Sequence, residues 1–454
     1  MPIEKPRHEQ IFHFRGRRFS RGLAAIGLFA LAAALWAPAA SAQGSGSTPP
    51  VNGVPDPRNL GILTPQEYPL VKKGVRFLYD GYLDKAGGVF DQLRSLLPDS
   101  PAGELGLVLP PAVKLREDPK NPQFLDELEK GLNAVRKKAQ NLLDKNPNDS
   151  RGLFYIGAVH FFRSQAHRRR RAFFRAVQEL RAARKYLGRV IAQKSDAWEA
   201  YVGLGGYNYF IDALPTLGKI ARRLLFLPGG DREKGLRQLN LARERSLLLG
   251  PLARNMLLVA YTAHEKRPLR AEKLGLSLHR EFPNNPWFHL NLGYLYLATP
   301  ENIPKAVRTF QEVLARERAG HPNYVREIAG RARLGLMAAY RRLGEGPTLR
   351  ATARKVLQNP PKRPKHLVPL TRLILGEQLA LDGDREGALS EFKKVARAGD
   401  WGYFGWRIRS LGFRSASDIV RRAESLRKNP PNPEAQSNGS NPRGRDRPPA
   451  EANR

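Results

Sequence analysis

Small and large apolar residues recur with the same spacing in two distant parts of the chain. The first set has gaps of 3, 4, 5 and 4 residues and consists of Gly74, Phe77, Gly81, Ala86 and Phe90. The same gaps separate Gly376, Leu379, Gly383, Ala388 and Phe392. Because apolar positions three and four residues apart form one face of a helix, each set predicts two antiparallel helices joined by a short turn.

Each gap has a physical reason. Gly74 and Ala86 are small, so they allow two helices to approach closely, and Phe90 fills the space beside that contact. Gly81 falls at the turn, where a residue can need a positive φ. Pro98 follows the second helix and ends it, because proline cannot continue the hydrogen-bond ladder.

This pattern resembles the tetratricopeptide repeat, and parts of it recur elsewhere. Ile156-Gly157, Leu204-Gly205, Leu334-Gly335 and Leu375-Gly376 repeat its apolar-glycine pair. The resemblance implies an all-α, right-handed solenoid of about eight helical hairpins with irregular insertions, over residues 65–428. We expect hairpins at 65–98, 150–194, 196–249, 251–283, 286–318, 324–358 and 364–398, and a weak one before residue 150 that Pro110-Pro111 and residues 118–122 interrupt. Residues 401–427 are expected to cap the array.

The first 42 residues have the order of a secretory signal peptide. Basic residues, including Arg17 and Arg18, precede an apolar run at 23–37, and Ala40-Ser41-Ala42 supplies small residues before Gln43. This run is shorter than the roughly 20 residues that span a bilayer. We therefore expect cleavage after residue 42 and export, to the periplasm of a Gram-negative bacterium. A retained membrane anchor and the twin-arginine route are the alternatives.

Two further segments lack the composition of a core. Residues 43–64 are rich in Gly, Ser and Pro, which predicts a flexible linker. Residues 429–454 are rich in Pro, Asn and Arg, which predicts a disordered tail.

The chain is strongly basic and contains no cysteine. Its formal net charge of +35 indicates an anionic neighbour such as phospholipid headgroups, acidic polysaccharide or an acidic protein. Nucleic acid is not expected as a partner, because an exported protein rarely meets it. The lack of cysteine excludes disulfides, thiol nucleophiles and thiolate metal sites.

The densest basic run lies at the predicted turn of the third hairpin. Two interpretations are open: a solvated helix end, or a surface that docks on anionic headgroups and leaves the protein associated with a membrane. The residues of this predicted anionic-surface contact are Arg163, Arg168, Arg169, Arg170, Arg171 and Arg175.

Aromatic residues cluster on the first helices of three hairpins. In tetratricopeptide arrays the first helices line the concave surface, so the resemblance implies a groove for a protein or peptide. Burial as ordinary core is the alternative. The residues expected to face the groove are Phe154, Phe161, Tyr209, Trp287 and Tyr294.

Residues 212–235 contain an unusual insertion. An amphipathic segment at 216–227 separates the two helices of one hairpin and precedes Gly229-Gly230-Asp231. This stretch is similar to a motif of bacterial repeat proteins and, more distantly, to the eukaryotic inclusion-body-clearance family of tetratricopeptide proteins. Membrane-surface contact is one interpretation. The other is a lid helix on the solenoid, with Asp231 capping the next helix.

No catalytic motif is found in the sequence. It has no nucleophile elbow, P-loop or dinucleotide-binding fingerprint, and its histidines lack metal-ligand spacing. We therefore predict no enzyme activity, cofactor or metal, and a scaffold or adaptor that holds a protein or peptide in its concave face. A binder of anionic polymer or headgroups is the alternative, and an enzyme with its site in the insertion is a third reading.

Overall fold

The computed structural model describes residues 62–115, 118, 121–170, 172–213, 228–362 and 367–397. Within these ranges it has sixteen α-helices, a single 3-10 turn and no β-strand. Consecutive helices pair into eight hairpins, so the predicted all-α array of about eight hairpins is confirmed. The predicted leader, most of the linker, the insertion at 216–227, the cap at 401–427 and the tail lie outside the described residues.

Five of the described hairpins lie in the compact unit Met1–Asn285, called unit 1 here. Their helices are α1 (Tyr68–Tyr79), α2 (Leu83–Leu96), α3 (Pro101–Lys114), α4 (Pro122–Lys145), α5 (Ser150–Arg169), α6 (Phe173–Gln193), α7 (Trp198–Asp212), α8 (Arg232–Arg245), α9 (Gly250–Ala263) and α10 (Pro268–Glu281).

The other three described hairpins lie in the compact unit Pro286–Arg454, called unit 2. Their helices are α11 (Pro286–Tyr296), α12 (Ile303–Arg318), α13 (Arg326–Leu343), α14 (Gly346–Gln358), α15 (Leu367–Leu381) and α16 (Arg385–Arg397).

Side-chain caps begin several of the helices. The Asp149 carboxylate accepts a hydrogen bond from the Gly152 amide at 2.7 Å at the start of α5. The Asp231 carboxylate accepts one from the Lys234 amide at 2.8 Å, the cap that the lid-helix interpretation of the insertion includes. Each bond satisfies an amide that has no partner within the helix.

Neighbouring hairpins in unit 1 are joined by a large side chain packed against glycine. The Phe90 ring on α2 lies between Gly74 on α1 and Gly106 on the next hairpin's α3, and a Cβ at Gly74 would be 2.6 Å from its Cζ atom. Leu187 on α6 has the same position between Gly157 on α5 and Gly203 on α7. The second helix of one hairpin therefore sets the distance to the first helix of the next.

Unit 2 repeats this contact. Phe310 on α12 is fully buried between Gly293 on α11 and Gly335 on α13. Phe392 on α16 packs against Gly376 on α15, where a Cβ would be 2.9 Å from the ring. The predicted close approaches at the repeat glycines are thus present in both units.

The turns inside two hairpins need glycine for its backbone. Gly81 has φ +89° between α1 and α2, and Gly383 has φ +86° between α15 and α16. An L side chain is strained in this left-handed region, whereas glycine is not. Both residues are the turn glycines that the repeat spacing predicts.

The second hairpin departs from the prediction. Pro110 and Pro111 lie inside α3, which continues to Lys114 instead of stopping before them. The two prolines occur in its last turns and forfeit the bonds to the carbonyls of Gly106 and Leu107. Both rings are buried, and this packing offsets the lost bonds.

The start of α1 is anchored through one buried carboxylate. Glu67 is 1% exposed, and its carboxylate accepts hydrogen bonds from the Thr64 amide, the Ser100 hydroxyl and the Arg151 guanidinium. These partners lie before α1, before α3 and on α5. A buried charge with this many donors fixes the entry of α1 into the unit.

The end of α1 contacts the fifth hairpin. The Arg76 guanidinium lies 4.7 Å from the centre of the Phe282 ring and donates a bond of 2.7 Å to the Glu281 carbonyl. The Tyr79 ring packs on Phe282 at 5.3 Å, and the side-chain amide Nδ2 of Asn285 donates to the Tyr79 carbonyl at 2.6 Å. In a simple solenoid each repeat contacts only its neighbours. Unit 1 instead closes on itself.

No helix within the described ranges is long and apolar enough to cross a membrane.

We predict opposite effects for two glycine-to-alanine changes in the first hairpin. Gly74→Ala places a methyl group against the rigid Phe90 ring and should lower the free energy of unfolding by about 1–3 kcal/mol. Gly88 lies on the exposed side of α2, and no atom is within 4 Å of its Cβ position. Gly88→Ala should therefore raise the free energy of unfolding by up to about 1 kcal/mol through helix propensity. Urea denaturation measures both. Equal effects would contradict the role of the glycine–phenylalanine contact.

Candidate binding surfaces

An aromatic pair lies on one face of α11 in unit 2. Trp287 and Tyr294 are seven residues apart, which is two helical turns, and both side chains are partly exposed. The Tyr294 hydroxyl donates a hydrogen bond of 2.8 Å to the Arg331 carbonyl on α13, and its ring packs on Phe310 at 5.1 Å. The Arg331 guanidinium lies 4.7 Å from the centre of the Trp287 ring.

These contacts fix the two rings before any ligand arrives. Arg331 is 1% exposed, so its charge is held within the unit beneath Trp287. A cation over the face of an indole is attracted by the negative ring face. Tyr294 is held by a hydrogen bond and a ring contact, so its side chain has little rotamer freedom left to lose, and the Arg331 cation favours one orientation of the Trp287 ring.

The three other predicted groove residues lie in unit 1, where the structure gives them different surroundings. Phe154 is 7% exposed and belongs to the buried apolar cluster that also contains Val71 of α1. Tyr209 is fully buried on α7. Phe161 is partly exposed and packs edge-on against Phe162 at 5.5 Å. Of the three, only Phe161 presents its ring to solvent.

Tyr209 has a structural role that the spacing did not indicate. Its hydroxyl donates a 2.7 Å bond to the Glu265 carboxylate beyond α9, which also accepts a 2.8 Å bond from Arg232 on α8. Burial, followed by the bond to Glu265, raises the pKa of Tyr209. Burial alone would raise the pKa of Glu265, but the bonds from Arg232 and Tyr209 bring it below its ordinary value.

The predicted arginine run divides into tethered and exposed side chains. Arg163 donates to Glu129 at 3.0 Å and to Asn133 at 2.6 Å, and Arg169 donates to the Leu115 carbonyl. Arg168 bonds to Gln165 at 3.3 Å. The exposed members are Arg170 and Arg175, while Arg171 lies outside the described residues.

A cleft beside α1 was missed by sequence reasoning. It has a volume of about 390 Å³ and lies where α1 meets the turn before α9. Its charged walls are Lys72, Lys73, Arg76 and Glu281, and its apolar walls include Leu248 and Pro251. Its two sides are distant in sequence, so the adjacent lysines of α1 were the only local signal. Three cations and one carboxylate line it, and that carboxylate, Glu281, is itself paired with Arg254.

Within the described ranges there is no group of three His, Asp or Glu side chains that could hold a metal ion.

The comparisons with known proteins yield structural similarity only. No family model matches the chain, and no curated protein matches it in sequence. The chain is similar to the crystal structure of yeast Tom70 with 13% identity and a TM-score of 0.39, over 83% of this chain and 85% of that one. It is also similar to the crystal structure of the APC/C hetero-tetramer Cut9-Hcn1 with 13% identity and a TM-score of 0.38, over 75% of this chain and 59% of that one.

We predict a pH-dependent contribution from Glu265. Because its folded pKa is below the unfolded value of about 4.3, the stabilisation is present above that pH and is lost as pH falls through the folded pKa. Glu265→Gln should therefore cost about 1–2 kcal/mol at neutral pH and progressively less below pH ~4.

Thermal unfolding over a pH series measures this difference, with Glu233→Gln as the control. Glu233 lies on the adjacent helix α8, its side chain is 87% exposed, and its i,i+4 pair with Arg237 spans 3.6 Å. A cost for Glu265→Gln that stays constant down to the lowest pH would contradict the assignment.

Proposed function

We propose that the protein is a binding scaffold that holds a protein or peptide segment on the first-helix surface of unit 2. The observation that carries the proposal is the pair of partly exposed rings, Trp287 and Tyr294, held in place by Arg331. Tryptophan, tyrosine and arginine are the residues most enriched at energetic centres of protein interfaces.

The rigidity of the pair favours affinity. Immobilising a flexible side chain on binding costs roughly 0.5–1.5 kcal/mol, and rings that are already fixed avoid that cost. Exposed aromatic side chains also combine apolar area with polar edges, which suits a surface that is solvated when empty.

The spacing and charge of the surface suggest the form of its ligand. Two positions seven residues apart on a helix are separated by about 10 Å. Apolar side chains of a ligand reach that distance at i and i+7 in a helix, or at i and i+3 in a polyproline II segment. Residues 286–397 contain 20 Lys or Arg against 10 Asp or Glu, so acidic residues beside these anchors complement the unit.

We expect a displayed random-peptide library, selected on the purified full chain, to yield peptides with two apolar anchors and acidic neighbours. Trp287→Ala and Tyr294→Ala should each weaken the dissociation constant of a selected peptide by roughly ten-fold or more, the loss typical of an interface hot spot. Isothermal titration calorimetry measures this constant.

The matched control is Trp198→Ala. Trp198 is the first residue of α7, which is the first helix of the fourth hairpin in unit 1. It has its own cation partner, because the Arg245 guanidinium lies 5.0 Å from the centre of its ring. This variant should bind the selected peptides as the parent does. Unchanged affinity in both unit 2 variants, with the same unfolding midpoint as the parent, would overturn the proposal.

We also propose that the protein is exported. Support comes from the order of basic, apolar and small residues over positions 1–42. When the full chain is expressed in a Gram-negative host, mass spectrometry of the periplasmic fraction should find a protein that begins at Gln43. Leu28→Arg with Leu31→Arg should retain the uncleaved chain in the cytoplasm, and a periplasmic product from this variant would contradict the proposal.

A further inference from the structure

The turn between α5 and α6 exposes an aromatic side chain among arginines. Hydrogen bonds from the Arg170 amide to the Ala166 carbonyl (3.1 Å) and from the Ala172 amide to the His167 carbonyl (2.9 Å) define the turn. Phe174, in the first turn of α6, is 61% exposed. Arg170 before it and Arg175 after it are also exposed.

The surrounding sequence carries positive charge alone. Residues 150–178 contain seven arginines and no Asp or Glu. Two carboxylates on the neighbouring helices have other partners, because Glu129 on α4 is paired with Arg163 and Glu179 on α6 with His160 at 2.5 Å. Within the described ranges, neither Arg170 nor Arg175 is paired with a carboxylate.

We propose that Arg170, Phe174 and Arg175 form a contact site for an anionic phospholipid bilayer. In this site Phe174 enters the interface between headgroups and acyl chains, and Arg170 and Arg175 bind lipid phosphates. The site lies in unit 1 and is independent of the peptide surface proposed for unit 2.

The exposed Phe174 ring favours a bilayer over a soluble polyanion as the ligand of this turn. A polyanion in water satisfies the arginines but offers no apolar medium to Phe174. A bilayer interface accepts aromatic side chains at headgroup level and attracts basic residues to its phosphates. An aromatic side chain between cations therefore matches both layers of a lipid surface.

The structure also separates contact residues from tethered ones. Arg163 and Arg169 bond to Glu129 and to the Leu115 carbonyl, so they hold α5 against its neighbours. Substitution of these two would disturb the fold as well as the surface. Arg170, Phe174 and Arg175 are exposed, so their substitution tests the surface alone.

Flotation of the full chain with vesicles tests the proposal. Vesicles of phosphatidylcholine and phosphatidylglycerol should bind the protein, and phosphatidylcholine alone should bind it much less. Arg170→Glu with Arg175→Glu should weaken binding by at least roughly five-fold for each cation. Phe174→Ser should weaken it by roughly ten-fold, because the ring no longer leaves water on binding.

Two controls match these variants. Leu96→Ser removes an apolar side chain that is also 61% exposed, and Arg354→Glu with Lys355→Glu reverses two exposed charges on α14. Neither should change vesicle binding by more than about two-fold if the turn is the contact site. If Arg354→Glu with Lys355→Glu lost as much vesicle binding as the turn variant, the binding would depend on net charge alone and the proposal would be overturned.

A tryptophan probe measures insertion directly. Phe174→Trp should add a fluorescence signal that brominated phospholipid quenches in anionic vesicles. Absence of that extra quenching would overturn the bilayer contact. The contact would also be overturned if Phe174→Ser bound vesicles as the parent does and soluble polyphosphate displaced the parent from vesicles completely, since the turn would then bind a soluble polyanion.

Discussion

The insertion of one large side chain between two glycines is the contact on which the array depends. Phe90 and Phe310 each lie between the first helix of their own hairpin and the first helix of the next. A hairpin buries its apolar face only against its neighbours, so this contact sets both the packing within a hairpin and the distance between hairpins. Because both rings are buried, a methyl group at either glycine forces the ring or the helix to shift.

This dependence explains why much of the fold could be predicted from sequence. The glycine, the turn and the aromatic residue of one hairpin lie within a short stretch, so their spacing is visible along the chain. Gly81 and Gly383 followed from the same spacing, and their positive φ values agree with it. The predicted interruption at Pro110 is wrong, because burial of its ring stabilises the last turns of α3 although the proline forfeits a hydrogen bond.

The surfaces were less predictable because burial depends on residues distant in sequence. Spacing placed Phe154 and Tyr209 on the face expected to be concave, but it could not show that Phe154 packs in one cluster with Val71 of α1, or that the Tyr209 hydroxyl bonds to Glu265 beyond α9. Which arginines of the basic run are exposed also depends on residues distant in sequence. Arg163 and Arg170 look alike in the sequence, and only the carboxylate of Glu129 on α4 distinguishes the tethered side chain from the exposed one.

The two units therefore leave different parts of the same repeat open for binding. In unit 1 the first helix α7 is buried along nearly its whole length, and charge collects instead at an exposed turn between helices. In unit 2 the first helix α11 keeps Trp287 and Tyr294 partly exposed while Phe310 maintains the hairpin contact beneath them. None of the residues proposed to bind a ligand is a glycine or the large side chain between two glycines. Substitution at the exposed positions can thus alter what is bound while the spacing of the hairpins is preserved.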